Sequence, residues 1–166
     1  MSTATDKEIL DRLQYSPELG GSCLSWKKSK FPQKVGAMAG SIKSDKYWRI
    51  VVGGKTLLAH RIVWFLHHNC FPTADLDHID NNRLNNKIEN LREATRSQNN
   101  MNTPQSKRNT SGVKNVSFHK RQKKWEVRVQ VNRKMINFGY YDDLELAELI
   151  AIEAREKHHG NYARHT

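Results

Sequence analysis

Between Asn102 and Ser111 the chain reads NTPQSKRNTS, a run without one large apolar side chain. Such a run cannot join a hydrophobic core, and the apolar pattern differs on its two sides, so two small cores are expected rather than one. The apolar fraction fits, since 37% of 166 residues is low for a single large core. Upstream, residues 7–14 have the spacing of a short helix with Ile9, Leu10 and Leu13 on one side. Residues 15–46 are turn-rich, with strand-like pieces such as Cys23–Lys27. Tyr47–Val52 and Leu57–Leu58, split by Gly53-Gly54, form a hairpin pattern. In LLAHRIVWFLHH, residues 57–68, Ala59, Ile62, Val63 and Leu66 recur at the spacing of a buried helix, and Pro72 ends that unit.

Downstream, Val113, Val116 and Phe118 open a strand pattern. Trp125, Val127, Val129 and Val131 alternate with Glu126, Arg128 and Gln130, then Asn132-Arg133 makes a tight turn and Ile136 and Phe138 continue the alternation. After Asp142 the period becomes helical, with Leu144, Ala147, Ile150, Ala151 and Ala154 in one stripe and Asp142 or Asp143 as N-cap. Three antiparallel strands with one helix across a face are expected here.

The formal net charge is +11, from 28 Lys and Arg against 17 Asp and Glu, which points to a polyanionic partner. Residues 103–141 hold ten Lys or Arg and one acid, Glu126, whereas 142–157 hold six acids and two basic residues. A basic sheet backed by a helix with an acidic outer side is therefore expected. Cys23 and Cys70 have neither disulfide-framework nor zinc spacing. No apolar run reaches membrane-span length, and Met1–Asp6 lacks the order of a signal peptide, so a cytosolic location is expected.

The chemistry concentrates in LDHIDNNRLNNKIENLR, residues 76–92, followed by ATRSQN at 94–99. Leu76 and Ile79 frame Asp77-His78 as a strand end, Ile88 and Leu91 anchor a second short strand or turn, and Thr95 with Gln98 has the spacing of a capping box. Asp77 offers a carboxylate and Asn99 an amide oxygen, both hard donors suited to Mg²⁺ or Mn²⁺. His78 is the side chain there that titrates near neutrality. Along an extended strand Asp77 and His78 diverge, unless the strand ends at the pair. Asp80 is expected to shape the turn, and His60 to be a core histidine.

These residues resemble the strand–strand–helix metal finger of HNH nucleases, in the Asp-His…Asn…Asn variant of phage homing endonucleases, and the resemblance runs from about Tyr47 to Asn102. It implies a metal-dependent endonuclease acting on double-stranded DNA. His78 is then the general base, Asn90 the residue that holds the loop and sets the histidine's orientation, and Asp77 and Asn99 the ligands of one Mg²⁺ or Mn²⁺. It also implies a phage-encoded protein working in the cytoplasm of a bacterial host, as a monomer or weak dimer. A catalytically inactive DNA-binding regulator is the alternative, and a nuclease for RNA or structured DNA a third reading.

SGVKNVSFHKRQKKWEVRVQV and INFGYYDDLELAELIAIEAREKHHGNYA resemble the Apetala/ethylene-response-factor type of DNA-binding domain over most of residues 111–163. The resemblance implies DNA contacts by Lys114, Ser117, His119, Arg121, Arg128, Gln130, Arg133 and Lys134, with Met135 and Asn137 on the same face. Ser117, Met135 and Asn137 depart from the arginines and tryptophans of plant members, which implies more contact with phosphate than with base edges. The expected fold is α+β: an N-terminal ββα-metal nuclease domain over 47–102 with a small β extension at 1–46, a linker at 103–111, and a three-stranded sheet plus one helix over 112–166.

Overall fold

The computed structural model describes residues 4–165, so Met1–Thr3, where the signal-peptide reading begins, and Thr166 lie outside the described residues. The chain divides into two compact units, Met1–Ala94 and Thr95–Thr166.

In the first unit, helix α1 (Ala4–Arg12) leads into β1 (Leu13–Tyr15), which pairs antiparallel with β2 (Leu24–Trp26). Ile9 and Leu13 are fully buried, but Leu10 is 44% exposed, against expectation. The helix stops at Arg12, so Leu13 enters the core as a strand residue while Leu10 turns to solvent. Strands β3 (Ser41–Ile42), β4 (Trp48–Val52) and β5 (Lys55–Leu58) form an antiparallel sheet in that order. Gly53 and Gly54, at φ 57° and 71°, close the β4–β5 hairpin, and two successive positive φ values match the twist of the strands they join. Helix α2 (Ala59–His68) follows directly and ends on Asn69, a left-handed cap whose N–H bonds Phe65 O. Its inner side places Ala59, Ile62, Val63 and Phe65 against Ile9, Leu13, Leu24, Ile50 and Val52. The hairpin of β6 (Asp75–His78) and β7 (Leu91–Ala94) sets Asp77 opposite Arg92 and His78 opposite Leu91.

The second unit opens with helix α3 (Arg96–Met101), whose capping box is complete: Thr95 Oγ1 accepts from Gln98 N–H, and Gln98 Oε1 accepts from Thr95 N–H. The run expected to be a linker belongs to this unit and is fastened by polar groups. Asn109 Nδ2 and Ser111 Oγ both donate to the carbonyls of Val113 and Val116. Strands β8 (Val116–His119), β9 (Lys124–Val131) and β10 (Lys134–Tyr141) form an antiparallel sheet with β9 central, and α4 (Leu144–His159) packs on it. The Asp143 carboxylate caps α4 by accepting from Glu145 N–H. Ala147, Ala151 and Ala154 let the helix lie close over Val116, Val127 and Val129. The β9–β10 register shifts between Asn137 and Gly139; Gly139 sits at φ 127°, where a Cβ would lie 2.8 Å from Tyr141 Oη. Among the described residues, no helix is long and apolar enough to cross a membrane.

Candidate active site

The loop between β6 and β7 is organised by its amides around Asp80. Asn90 Oδ1 accepts from Asp80 N–H at 3.0 Å, while its Nδ2 donates to Asp80 Oδ1 at 2.8 Å and to Asn85 O at 2.9 Å. Asp80 also receives Asn82 N–H and Asn85 Nδ2. Burial works to raise the Asp80 carboxyl, but these hydrogen bonds outweigh it and hold the group below the usual carboxylate range. Tyr15 Oη accepts from Ile88 N–H and ties the loop to β1. Asn90 therefore stitches the loop, and an amide suits that task because it both donates and accepts.

His78 ends β6 and is 5% exposed. Its Nε2 lies 3.3 Å from Oδ1 of Asn86, itself 1% exposed. Asn86 Nδ2 donates to Gly21 O at 2.8 Å and Leu84 O at 3.4 Å. Both carbonyls only accept, so the amide nitrogen faces them and its oxygen faces the ring. Nε2 then carries the imidazole proton and the basic lone pair is on Nδ1. Burial pulls the His78 pKa below its ordinary value, against the opposing influence of Asn86, Asp80 and Asp77. The ring is thus neutral near pH 7, the form that accepts a proton. Nothing in the sequence distinguishes Asn86 from Asn85, and the pair is expected only as a turn. Asn86→Ala is expected to lower the turnover of a hydrolytic site about 10–100-fold with little change in KM. The His78 ¹⁵N shifts, which report tautomer, are expected to move with it; unchanged shifts and turnover would remove Asn86 from this role.

His60 of α2 meets His78 edge-on, with ring centroids 5.1 Å apart, and Tyr47 lies 5.5 Å from His60. The Arg83 guanidinium stands 5.0 Å over the Tyr47 ring. Burial, then the adjacent His78 and Arg61, lower the His60 pKa to about 3. The unfolded chain protonates first, so stability that is complete above about pH 6.5 drains away as pH falls toward 3, at about 1.4 kcal/mol per pH unit. Stability from denaturant melts between pH 7 and pH 5 is expected to fall by about 2 kcal/mol through this group in the wild type and to fall less in His60→Phe.

Asp77, 4% exposed, is held by Arg92: both Nε, at 2.9 Å, and Nη2, at 2.8 Å, donate to Oδ2. The sequence signal for this contact is weak, because it depends on the register that sets Asp77 opposite Arg92. Asp77 and His78 are successive strand residues with different partners, in keeping with the alternation of an extended strand. Asn99 lies on α3 in the second unit, half-buried, with its N–H on Thr95 O at 2.9 Å. Among the described residues no three His, Cys, Asp or Glu side chains gather to hold an ion. A cation at Asp77 would therefore complete its shell with amide, phosphate or water oxygens. One carboxylate with such hard oxygens fits a hard dication such as Mg²⁺ or Mn²⁺.

In the second unit, Ser117, His119, Arg128, Gln130, Met135 and Asn137 occupy paired positions on the side of the sheet opposite Val127 and Val129. They do not make the continuous basic face that alternation suggests. Glu126, at the centre, is only 6% exposed: it accepts from Asn137 Nδ2 and Tyr140 Oη and pairs with Arg128 Nε at 3.2 Å. Lys114 is also withdrawn, its Nζ donating to Met101 O and Arg164 O. Burial, then Arg155 and Arg164, bring its pKa down to about 8. Exposed positive charge that is not paired with Glu126 flanks the face in the two turns, at Lys120, Arg121 and Lys123, and at Arg133 and Lys134.

The HNH endonuclease family matches residues 57–101, which corrects the expectation of an N-terminal nuclease domain: it lies in the middle of the chain. Protein 3.8 of Escherichia phage T7 is 39% identical over 106 residues, covering 63% of this chain and 87% of that protein. No solved structure matches the chain. The chain belongs to the same family as the phage T7 protein 3.8, and it carries an HNH endonuclease domain at residues 57–101.

Proposed function

We propose that the chain is a homing-type endonuclease that hydrolyses phosphodiester bonds of double-stranded DNA. The reading rests on one observation above the rest: a buried His78, oriented by Asn86 and next in sequence to the buried Asp77, within the HNH match. His78 Nδ1 takes a proton from a water. That water's oxygen bonds to phosphorus, the bond to the 3′ oxygen breaks, the departing 3′ oxygen takes a proton from a second water, and the products are a 5′-phosphate and a 3′-hydroxyl. Asn86 keeps the ring in the required tautomer, and Asn90 keeps the loop from shifting beneath it. Asp77 and Asn99 are the residues assigned to one Mg²⁺ or Mn²⁺. When bound, such an ion neutralises charge on the phosphate and on the leaving oxygen. Ser117, His119, Arg121, Gln130, Arg133 and Lys134 are assigned to the duplex, chiefly to its phosphates. One site in one chain cuts one strand per binding event, so a monomer nicks.

The test is supercoiled plasmid incubated with the full chain and Mg²⁺, with and without chelator. Relaxed circles that DNA ligase reseals directly are expected, because ligase needs a 5′-phosphate and a 3′-hydroxyl. Plasmid left supercoiled under both Mg²⁺ and Mn²⁺ would overturn the reading in favour of a protein that only occupies DNA.

A further inference from the structure

A polar concavity within the second unit, between α3 and the β9–β10 turn, is not accounted for by the hydrolytic site. It is lined by Arg96, Ser97, Asn100, Gln130 and Arg133 and holds about 390 Å³, room for a phosphate and several waters at about 30 Å³ each. An adjoining cavity of about 170 Å³ shares Ser97, Asn100, Gln130 and Arg133 and extends to Lys114 and His159. No acidic side chain lines either one. Among the described residues, neither the Arg96 nor the Arg133 guanidinium has a hydrogen bond or an ion pair. Two uncompensated guanidinium groups with a hydroxyl and two amides form a donor-rich concavity, and guanidinium forks match phosphate oxygens.

The backbone gives an independent indication. Asn132 and Arg133 both have positive φ, 50° and 67°, in a two-residue hairpin turn. The second position of such a turn favours glycine, because a Cβ there is strained. An arginine in that place costs stability, which points to a role for its side chain.

We infer that this concavity binds a backbone phosphate of the DNA duplex, gripped jointly by Arg96 and Arg133. The inference rests on the proposal that the substrate is duplex DNA. It adds a phosphate site on the helix that carries Asn99, and it gives Arg96, Ser97 and Asn100 a part that the sequence does not suggest.

The experiment measures binding of the full chain to a fluorescent duplex in EDTA, over a salt series, for wild type, Arg96→Gln, Arg133→Gly, the double variant, and Lys157→Gln as a charge control on exposed α4. Each arginine variant is expected to bind about tenfold more weakly, with a salt slope shallower by about 1. The double variant should lose less than the product of the two single losses, as groups sharing one phosphate do. Arg133→Gly should also melt at or above the wild-type temperature, which separates lost contact from lost fold.

Affinities within twofold of wild type, losses matched by Lys157→Gln, or strictly multiplicative losses would overturn the shared site. So would inorganic phosphate binding that depends on Arg133 while duplex affinity does not. Wild type that fails to bind duplex at all would overturn the DNA reading itself, an outcome distinct from arginine variants that bind normally. Because no cleavage is needed, the result does not depend on hydrolytic activity.

Discussion

His78→Ala is expected to reduce the rate of plasmid nicking by about 10²–10⁴-fold, the usual contribution of a positioned general base. Three features support that size. The ring is buried and neutral near pH 7, its tautomer is fixed by Asn86, and His60 packs against it edge-on. Removing the ring deletes the proposed proton acceptor and leaves the second unit, which the proposal assigns to the duplex, untouched, so duplex affinity should change less than twofold. Alanine also leaves Asn86 Oδ1 without its donor in a site 1% exposed, at a cost of about 1–3 kcal/mol. Circular dichroism and a thermal melt of the variant separate that cost from the chemical loss. A His78→Ala protein that is folded and nicks at the wild-type rate would exclude His78 as the base.

Substitution of Asp77 is expected to affect both folding and activity, and two variants separate the effects. Asp77→Ala leaves the Arg92 guanidinium, 18% exposed, without its carboxylate; breaking a pair this buried costs about 3 kcal/mol. Asp77→Asn keeps an oxygen that can accept from Arg92, so its stability should lie between that of Asp77→Ala and the wild type. Both variants lose the charged donor. Electrostatic support worth several kcal/mol in the transition state corresponds to at least about 10²-fold in rate. Urea melts together with single-turnover nicking are expected to rank the two variants differently in stability and alike in activity. If Asp77→Asn were as active as wild type, Asp77 would be a structural partner of Arg92 and nothing more.

Much of the site and fold is legible in local pattern. The Thr95–Gln98 capping box, the alternation that buries Val127 and Val129, the alanine stripe of α4 and the loop-holding part of Asn90 all depend on residues within one or two elements. What is not legible depends on contacts between distant segments. Arg92 meets Asp77 because of strand register, Asn86 is fixed by a carbonyl 65 residues away, and His60 reaches His78 from another element. Alternation puts Glu126 on the outward side of β9, but Asn137 and Tyr140, on either side of the register shift at Asn137/Gly139, cover it. The run at 102–111 lacks apolar groups and so reads as a linker, yet Asn109 and Ser111 dock it through hydrogen bonds, which hydropathy does not register.

The most direct measurement is the position of Mn²⁺, from its anomalous scattering, in crystals of the full-length His78→Ala chain bound to duplex DNA. The ion is expected on the Asp77 carboxylate, with a DNA phosphate beside it. Manganese bound elsewhere, with the Asp77 carboxylate still wholly engaged by Arg92 while DNA is in place, would contradict a hydrolytic centre at residues 77 and 78.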